Sequence, residues 1–125
     1  MIPRFRAWDK EFKEMVQVDA LVFGEQIIKA TYKNGNVVKE DLKNYVLMQS
    51  TGLKDKNSKE IFEGDVVKMA KNVYSEPTYY EVVRHLGGAY RLESKQHGCE
   101  LWLRHTDCEI AGNIYENPEL AEVCS

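Results

Sequence analysis

The side chains with the chemistry to build a reactive or metal site cluster towards the end of the chain. His97-x-Cys99 and His105-x-x-Cys108 bring two imidazoles and two thiols close together in sequence. Imidazole nitrogen and thiolate sulfur are the usual ligands of tetrahedral zinc. If residues 97–99 are extended, His97 and Cys99 point to one face of their strand, which suits chelation. The spacing is not that of a zinc finger or ribbon, however. His97, Cys99, His105 and Cys108 are therefore candidates only, and neither a metal nor a cofactor is expected. Nucleophilic catalysis has less behind it. There is no Gly-x-Ser-x-Gly elbow and no distinctive Cys/His signature, so His85 or His105 could reach Cys99 or Cys108 only by folding. Carboxylates are plentiful (Glu60, Glu63, Asp65, Glu81, Glu109), but with 20 acidic residues in 125 chance pairs are expected, and they read as a solvated face. The expectation is a protein that is not an enzyme.

A second constellation could bind nucleic acid. Tyr74, Tyr79, Tyr80, Tyr90 and Trp102 could stack on bases, with Lys68, Lys71, Arg84 and Arg91 to meet the backbone. Small β-barrels often combine aromatics and cations in this way. The competing reading is that alternate aromatics fill the interior of the sheet. Charge favours the competitor: residues 71–125 carry five basic and nine acidic side chains, and strong non-specific binding needs clustered cations that release counterions. Residues 1–39 carry seven basic and five acidic, leaving a local patch of Arg4, Arg6, Lys10 and Lys13. The stripe Arg4, Arg6, Trp8 is equally open to a structural role, because arginine stems cover apolar surface.

The elements that must position these residues are mostly strands. The 125 residues are 43% hydrophobic and 30% charged with a net charge of −3, which suits a soluble chain with a real core. No apolar run approaches the roughly 18 residues of a membrane span, and no secretory signal core precedes the first charges. The expected location is cytoplasmic with no membrane partner. Three cysteines, an odd number, do not suggest a disulfide framework.

Residues Ile2–Trp8 read as a first strand. A stretch from Met15 to Phe23 is β-prone but not cleanly periodic. Asn34-Gly35 predicts a two-residue hairpin turn joining Gln26–Lys33 to Asn36–Lys39, since both residues tolerate positive φ. Glu40–Asn44 has room for one helical turn before Tyr45–Met48. Lys54–Glu60 reads as a solvated turn region. Beyond it, strands are expected at Ile61–Met69, Thr78–His85, Ala89–Glu93, Cys99–Leu103 and Ile110–Tyr115, with Gly64 marking a bulge or close approach and Gly87-Gly88 a turn. Asn117-Pro118-Glu119-Leu120 reads as a helix start with Asn as N-cap and Pro in the first position. Five short strands with tight turns suit a small closed barrel of SH3-like type. The fold class is thus mainly β: an N-terminal β-layer over residues 1–50 and a C-terminal SH3-like small barrel with little helix over residues 51–125.

Three stretches also carry a resemblance. Arg4 to Glu11 (RFRAWDKE), Thr51 to Val67 (TGLKDKNSKEIFEGDVV) and Ala111 to Leu120 (AGNIYENPEL) resemble, in the same order, the YopX family of small phage and prophage proteins. Asn72 to Thr106 contains no matching motif. The resemblance implies a mostly-β protein in an intracellular phage setting with a capacity to self-associate. It carries over no functional residues. The leading expectation is a non-enzymatic protein acting through protein–protein association and forming a homo-oligomer with itself; the alternatives are a nucleic-acid-binding accessory factor and a metal-dependent enzyme.

Overall fold

A computed structural model describes residues 4–70, 74–85, 87–95 and 98–124. The chain divides into two compact units, Met1–Gln49 and Ser50–Ser125. Strands are antiparallel throughout, and no helix among the described residues is long and apolar enough to cross a membrane.

The first unit is built from β1 (Phe5–Asp9), β2 (Glu14–Val22), β3 (Ile27–Thr31), β4 (Val37–Asp41), a 3-10 turn at Leu42–Asn44 and the start of β5 (Tyr45–Lys54). The strand order is β4-β3-β2-β1-β5. Asp9 ends β1 by accepting hydrogen bonds from the Glu11 and Phe12 amides at 2.9 and 3.2 Å, the local Asx geometry that competes with strand continuation. In β2 the register shifts between Val18 and Ala20. This bulge explains the broken periodicity of the sequence there: Val16, Val18 and Leu21 all pack on the core, while Val22 is exposed. The Asn34-Gly35 hairpin forms, but as a three-residue turn. Tyr32 N–H donates to the Asn36 carbonyl at 2.8 Å, and only Gly35 has positive φ, at 91°. Asn34 instead uses its side chain, accepting from the Asn36 amide at 2.9 Å. The expected helical turn is the 3-10 turn after Asp41, whose carboxylate accepts from the Lys43 amide at 3.0 Å. The core is Ala7, Val16, Ile28, Ala30 and Tyr45, flanked by Val18, Leu21, Tyr32, Val38, Leu42 and Leu47. The sheet coils around this face: Tyr45 on β5 donates to Glu40 on β4 at 3.0 Å, although these strands stand at opposite ends of the order.

In the second unit the end of β5 pairs with β6 (Glu60–Phe62). A five-stranded sheet follows in the order β10-β9-β8-β7-β11, from β7 (Asp65–Met69), β8 (Thr78–Arg84), β9 (Tyr90–Glu93), β10 (Gly98–Glu100) and β11 (Glu109–Asn113). Between β10 and β11 lie α1 (Leu101–Arg104) and a 3-10 turn at His105–Asp107, and α2 (Pro118–Cys124) closes the chain. Mainly-β architecture is therefore correct, with three corrections in this half. The sheet is not a closed barrel: β10 and β11 are its two edges, and no ladder joins them among the described residues. The expected strand Cys99–Leu103 ends at Glu100, because only Leu101 is buried while Trp102 and Leu103 are 64% and 57% exposed. That is one inward residue on a helical turn, not an alternation. The expected strand Ile61–Met69 is two strands split at Gly64, whose φ of 89° makes a turn. There Asp65 accepts from the Phe62 amide at 2.8 Å, and Gly64 exchanges backbone bonds with Val82 and Ile114 at 2.9 and 3.0 Å.

One face of the sheet buries Val67, Met69, Tyr80, Val82 and Leu92 with Ile61, Leu101 and Cys108. Helix α2 packs on β8 and β11. Asn117 does precede it, with Pro118 in its first position, and the Asn117 side chain reaches back to accept from the Asn113 amide at 3.2 Å. A Cβ on Gly112 would stand 2.7 Å from Asn117 Cγ, so this glycine is what lets the side chain lie flat across β11.

Candidate functional site

The His/Cys constellation is divided by the fold. His97 lies outside the described residues. Cys99 and Cys108 both pack with the core of the second unit, Cys108 completely buried. Burial, and then the nearby Asp55 carboxylate, push the Cys108 thiol up to about 11, and burial raises Cys99 as well. Both are thiols at neutral pH, whereas nucleophilic attack requires thiolate. The Cys108 thiol donates to the His105 carbonyl at 3.2 Å, and the His105 ring is held by its Nδ1 at 2.8 Å from the Lys54 carbonyl oxygen. Among the described residues, no three His, Cys, Asp or Glu side chains are grouped to hold a metal ion.

The nucleic-acid candidates are also dispersed. Lys71 lies outside the described residues. Lys68 sits 3.6 Å from Glu109. Arg91 is held by Glu93 at 3.0 Å and Glu100 at 2.5 Å, which raise its pKa. Register places Lys68 opposite Tyr79, and Arg91 opposite Val83, on the face turned away from the core. Tyr80 is buried and Tyr90 packs against the core, where burial raises its phenol. Arg84 is exposed at the end of β8, Trp102 stands on α1, and Tyr74 is 95% exposed. The cations on the outer face thus meet carboxylates, and the aromatics divide between core and separate surface positions.

A different site emerges in the first unit. Beside the coiled core face is an open cleft of about 350 Å³, lined by Phe12, Glu14, Tyr32, Asn34, Asn36, Val38 and Glu40. That volume lies in the range of small-ligand sites, which occur at the mouths of curled sheets. Its wall belongs to a polar chain crossing the sheet. Buried Asp9 accepts from the Tyr32 hydroxyl. The Tyr32 hydroxyl lies 2.7 Å from that of Tyr45, and Tyr45 reaches Glu40 at 3.0 Å. Burial, the hydrogen bond to Asp9 and that to Tyr45 hold the Tyr32 phenol well above its ordinary range. Burial also raises Tyr45; the bond from Tyr32 opposes this and Glu40 adds to it. Both phenols stay protonated at neutral pH, so each brings one hydrogen.

No local sequence pattern marks this cleft. Asp9 reads locally as a turn residue and Glu40 as part of a helical turn. Residues 9, 14, 32, 40 and 45 share no interval that marks a motif. The strand order β4-β3-β2-β1-β5 and the coiling of the sheet bring them together. The i, i+2 spacing of Tyr32, just past the end of β3, from Ala30 and Ile28 is the local sign that its ring packs on the core side.

The protein family described as YopX protein matches the chain over residues 4–122. No curated protein matches it. Among solved structures, the chain is similar to protein EF1440 from Enterococcus faecalis, with 31% identity and a TM-score of 0.67 over 96% of this chain and 98% of that one. It is also similar in fold to protein yopX from Bacillus subtilis, with 22% identity and a TM-score of 0.64 over 94% and 96% of the two chains. With the match running from β1 into α2, through both units, this chain belongs to the YopX family.

Proposed function

We propose that this chain is a non-enzymatic binding protein that works through protein–protein association, including association with its own copies, in the cytoplasm of a bacterium carrying a phage or prophage. The phage setting rests on the family resemblance. The observation that carries the binding role is the set of large apolar side chains left in solvent: Phe12 and Phe23 are 69% and 59% exposed, and Trp102 and Leu103 stand side by side on α1 at 64% and 57%. Aromatic side chains of this kind anchor protein interfaces. The nucleic-acid alternative has less support, because Lys68 and Arg91 lie against glutamates.

Sedimentation velocity of the full chain over a wide concentration range tests the self-association. A sedimentation coefficient that rises with concentration, and falls back in Trp102→Asp, is expected. A strict monomer at the highest concentration overturns that part of the reading. Retention of DNA on a filter at low salt, lost as salt rises, would instead favour the nucleic-acid alternative.

A further inference from the structure

We propose that the cleft of the first unit seats the guanidinium group of an arginine side chain presented by a protein partner. The inference rests on the reading of the chain as a binding protein and names what this cleft would bind.

Its starting point is a hydrogen count. Four groups make three contacts in a row: Asp9 to Tyr32, Tyr32 to Tyr45, and Tyr45 to Glu40. Three hydrogen bonds need three hydrogens, and two phenols bring two. If Tyr32 donates to Asp9 and Tyr45 to Glu40, the 2.7 Å contact between the phenol oxygens has no hydrogen. If Tyr45 turns to Tyr32, Glu40 loses its donor. A donor from outside that meets Glu40, an exposed carboxylate otherwise left to water, lets Tyr45 donate to Tyr32 without leaving Glu40 unmatched. Glu40 and Tyr32 both line the cleft, so an occupant is placed to supply it.

The other lining residues specify the donor. Glu14 and Glu40 bring two carboxylates from different strands, β2 and β4, which favours a cation able to donate in more than one direction. Phe12 and Tyr32 bring aromatic rings, and a cation over such a ring is attracted by its negative face. A guanidinium meets both demands: it is planar, stacks on rings, gives up its hydration readily and carries five N–H donors in a fork. An ammonium meets both less well, being a compact, strongly hydrated charge with no plane to stack on a ring. Val38 supplies apolar contact for the methylene stem.

The test uses the full isotope-labelled chain and N-acetyl-arginine-N-methylamide, which carries the side chain without charged termini. Amide shifts at Phe12, Glu14, Tyr32, Val38 and Glu40 are expected, with a Kd in the millimolar range typical of one unanchored side chain. The capped citrulline, of the same shape but neutral, should produce no shifts, and capped lysine should bind about threefold or more weakly. Glu40→Gln should weaken arginine binding by about tenfold; if that variant does not fold, Glu14→Gln is read in its place. Tyr45→Phe removes the hydroxyl that competes for Glu40 and should bind at least as tightly as wild type. No shift with capped arginine, equal shifts with citrulline, or a tenfold loss in Tyr45→Phe would each overturn the proposal. Free arginine binding more tightly than the capped form would overturn the protein source. None of these results depends on self-association, so a strictly monomeric chain leaves the cleft to be judged by its own titration.

Discussion

The two units treat their buried polar groups in opposite ways. In the second unit the side-chain oxygens of Asp55 and Asn113 are met by backbone donors. Asp55, 4% exposed, accepts from the amides of Asn57, Lys59 and Ile110, each at 2.9 Å. Asn113 accepts from Tyr115 and Glu116 at 3.0 and 2.8 Å and donates to the Glu116 carboxylate at 2.8 Å. In the first unit, buried Asp9 also accepts two amides, but its other oxygen begins the tyrosine chain that ends one hydrogen short at exposed Glu40. A saturated polar group fixes a loop and has nothing left to offer a ligand. An incomplete chain at an open cleft still has a bond to make. The polar chain of the first unit thus ends at an open cleft, whereas the buried Asp55 and Asn113 of the second unit hold loops in place.

The largest effect is expected at Asp55. Asp55→Ala leaves three amides without their acceptor and should cost about 3 kcal/mol by urea denaturation; a loss below about 0.5 kcal/mol would mean that the saturated network does not hold the second unit together. Gly112→Ala should cost about 2 kcal/mol by forcing Asn117 off β11. The double variant Gly112→Ala with Asn117→Gly should cost less than the sum of its parts, and strict additivity would remove the Asn117 contact as the cause.

Next in size is a pair of pH effects. Burial raises Asp55, but its amide donors outweigh this and hold its folded pKa below the ordinary value. Its contribution is therefore present above the unfolded carboxylate pKa of about 4 and lost as pH falls through the lower folded value. Tyr32 and Tyr45 are shifted upwards, so their contribution is complete below the unfolded phenol pKa of about 10 and lost as pH rises beyond it. Denaturation curves in acid should flatten in Asp55→Asn. Those in alkali should flatten in Tyr32→Phe, and an unchanged alkaline slope would deny that the phenols are held protonated by the fold. The smallest effect is expected at the outer face, where Lys68→Ala removes an exposed ion pair with Glu109 and should change stability by no more than about 0.5 kcal/mol.

What the sequence revealed was local. Asn34-Gly35 announces a turn because glycine takes the left-handed φ found there without strain, and Asn117-Pro118 announces α2 because proline has no amide to lose in a first helical turn. Thr78–Arg84 is rich in Tyr and Val, residues that favour strands, and forms β8. What stayed hidden was determined at a distance. The bulge between Val18 and Ala20 shows in sequence only as a blurred pattern. Helix α1 is four residues long, too short for its periodicity to register. Asp55 sits among lysines in a stretch that reads as solvated, and its burial follows from Ile110, far along the chain. Every member of the cleft sits on a strand or turn that can be read alone, but their meeting follows from strand order and coiling, which no interval encodes.

The bond from the Ile110 amide to Asp55 has a further consequence in time. It joins residues 55 apart in sequence, so the Asp55–Lys59 turn can form early from its own contacts but is fastened only when β11 docks on β7. Contacts of such separation close a long loop, at an entropic cost that local contacts do not carry. The Ile110 amide hydrogen should therefore report the docking of β11, exchanging with solvent only when that edge strand lifts from Asp55.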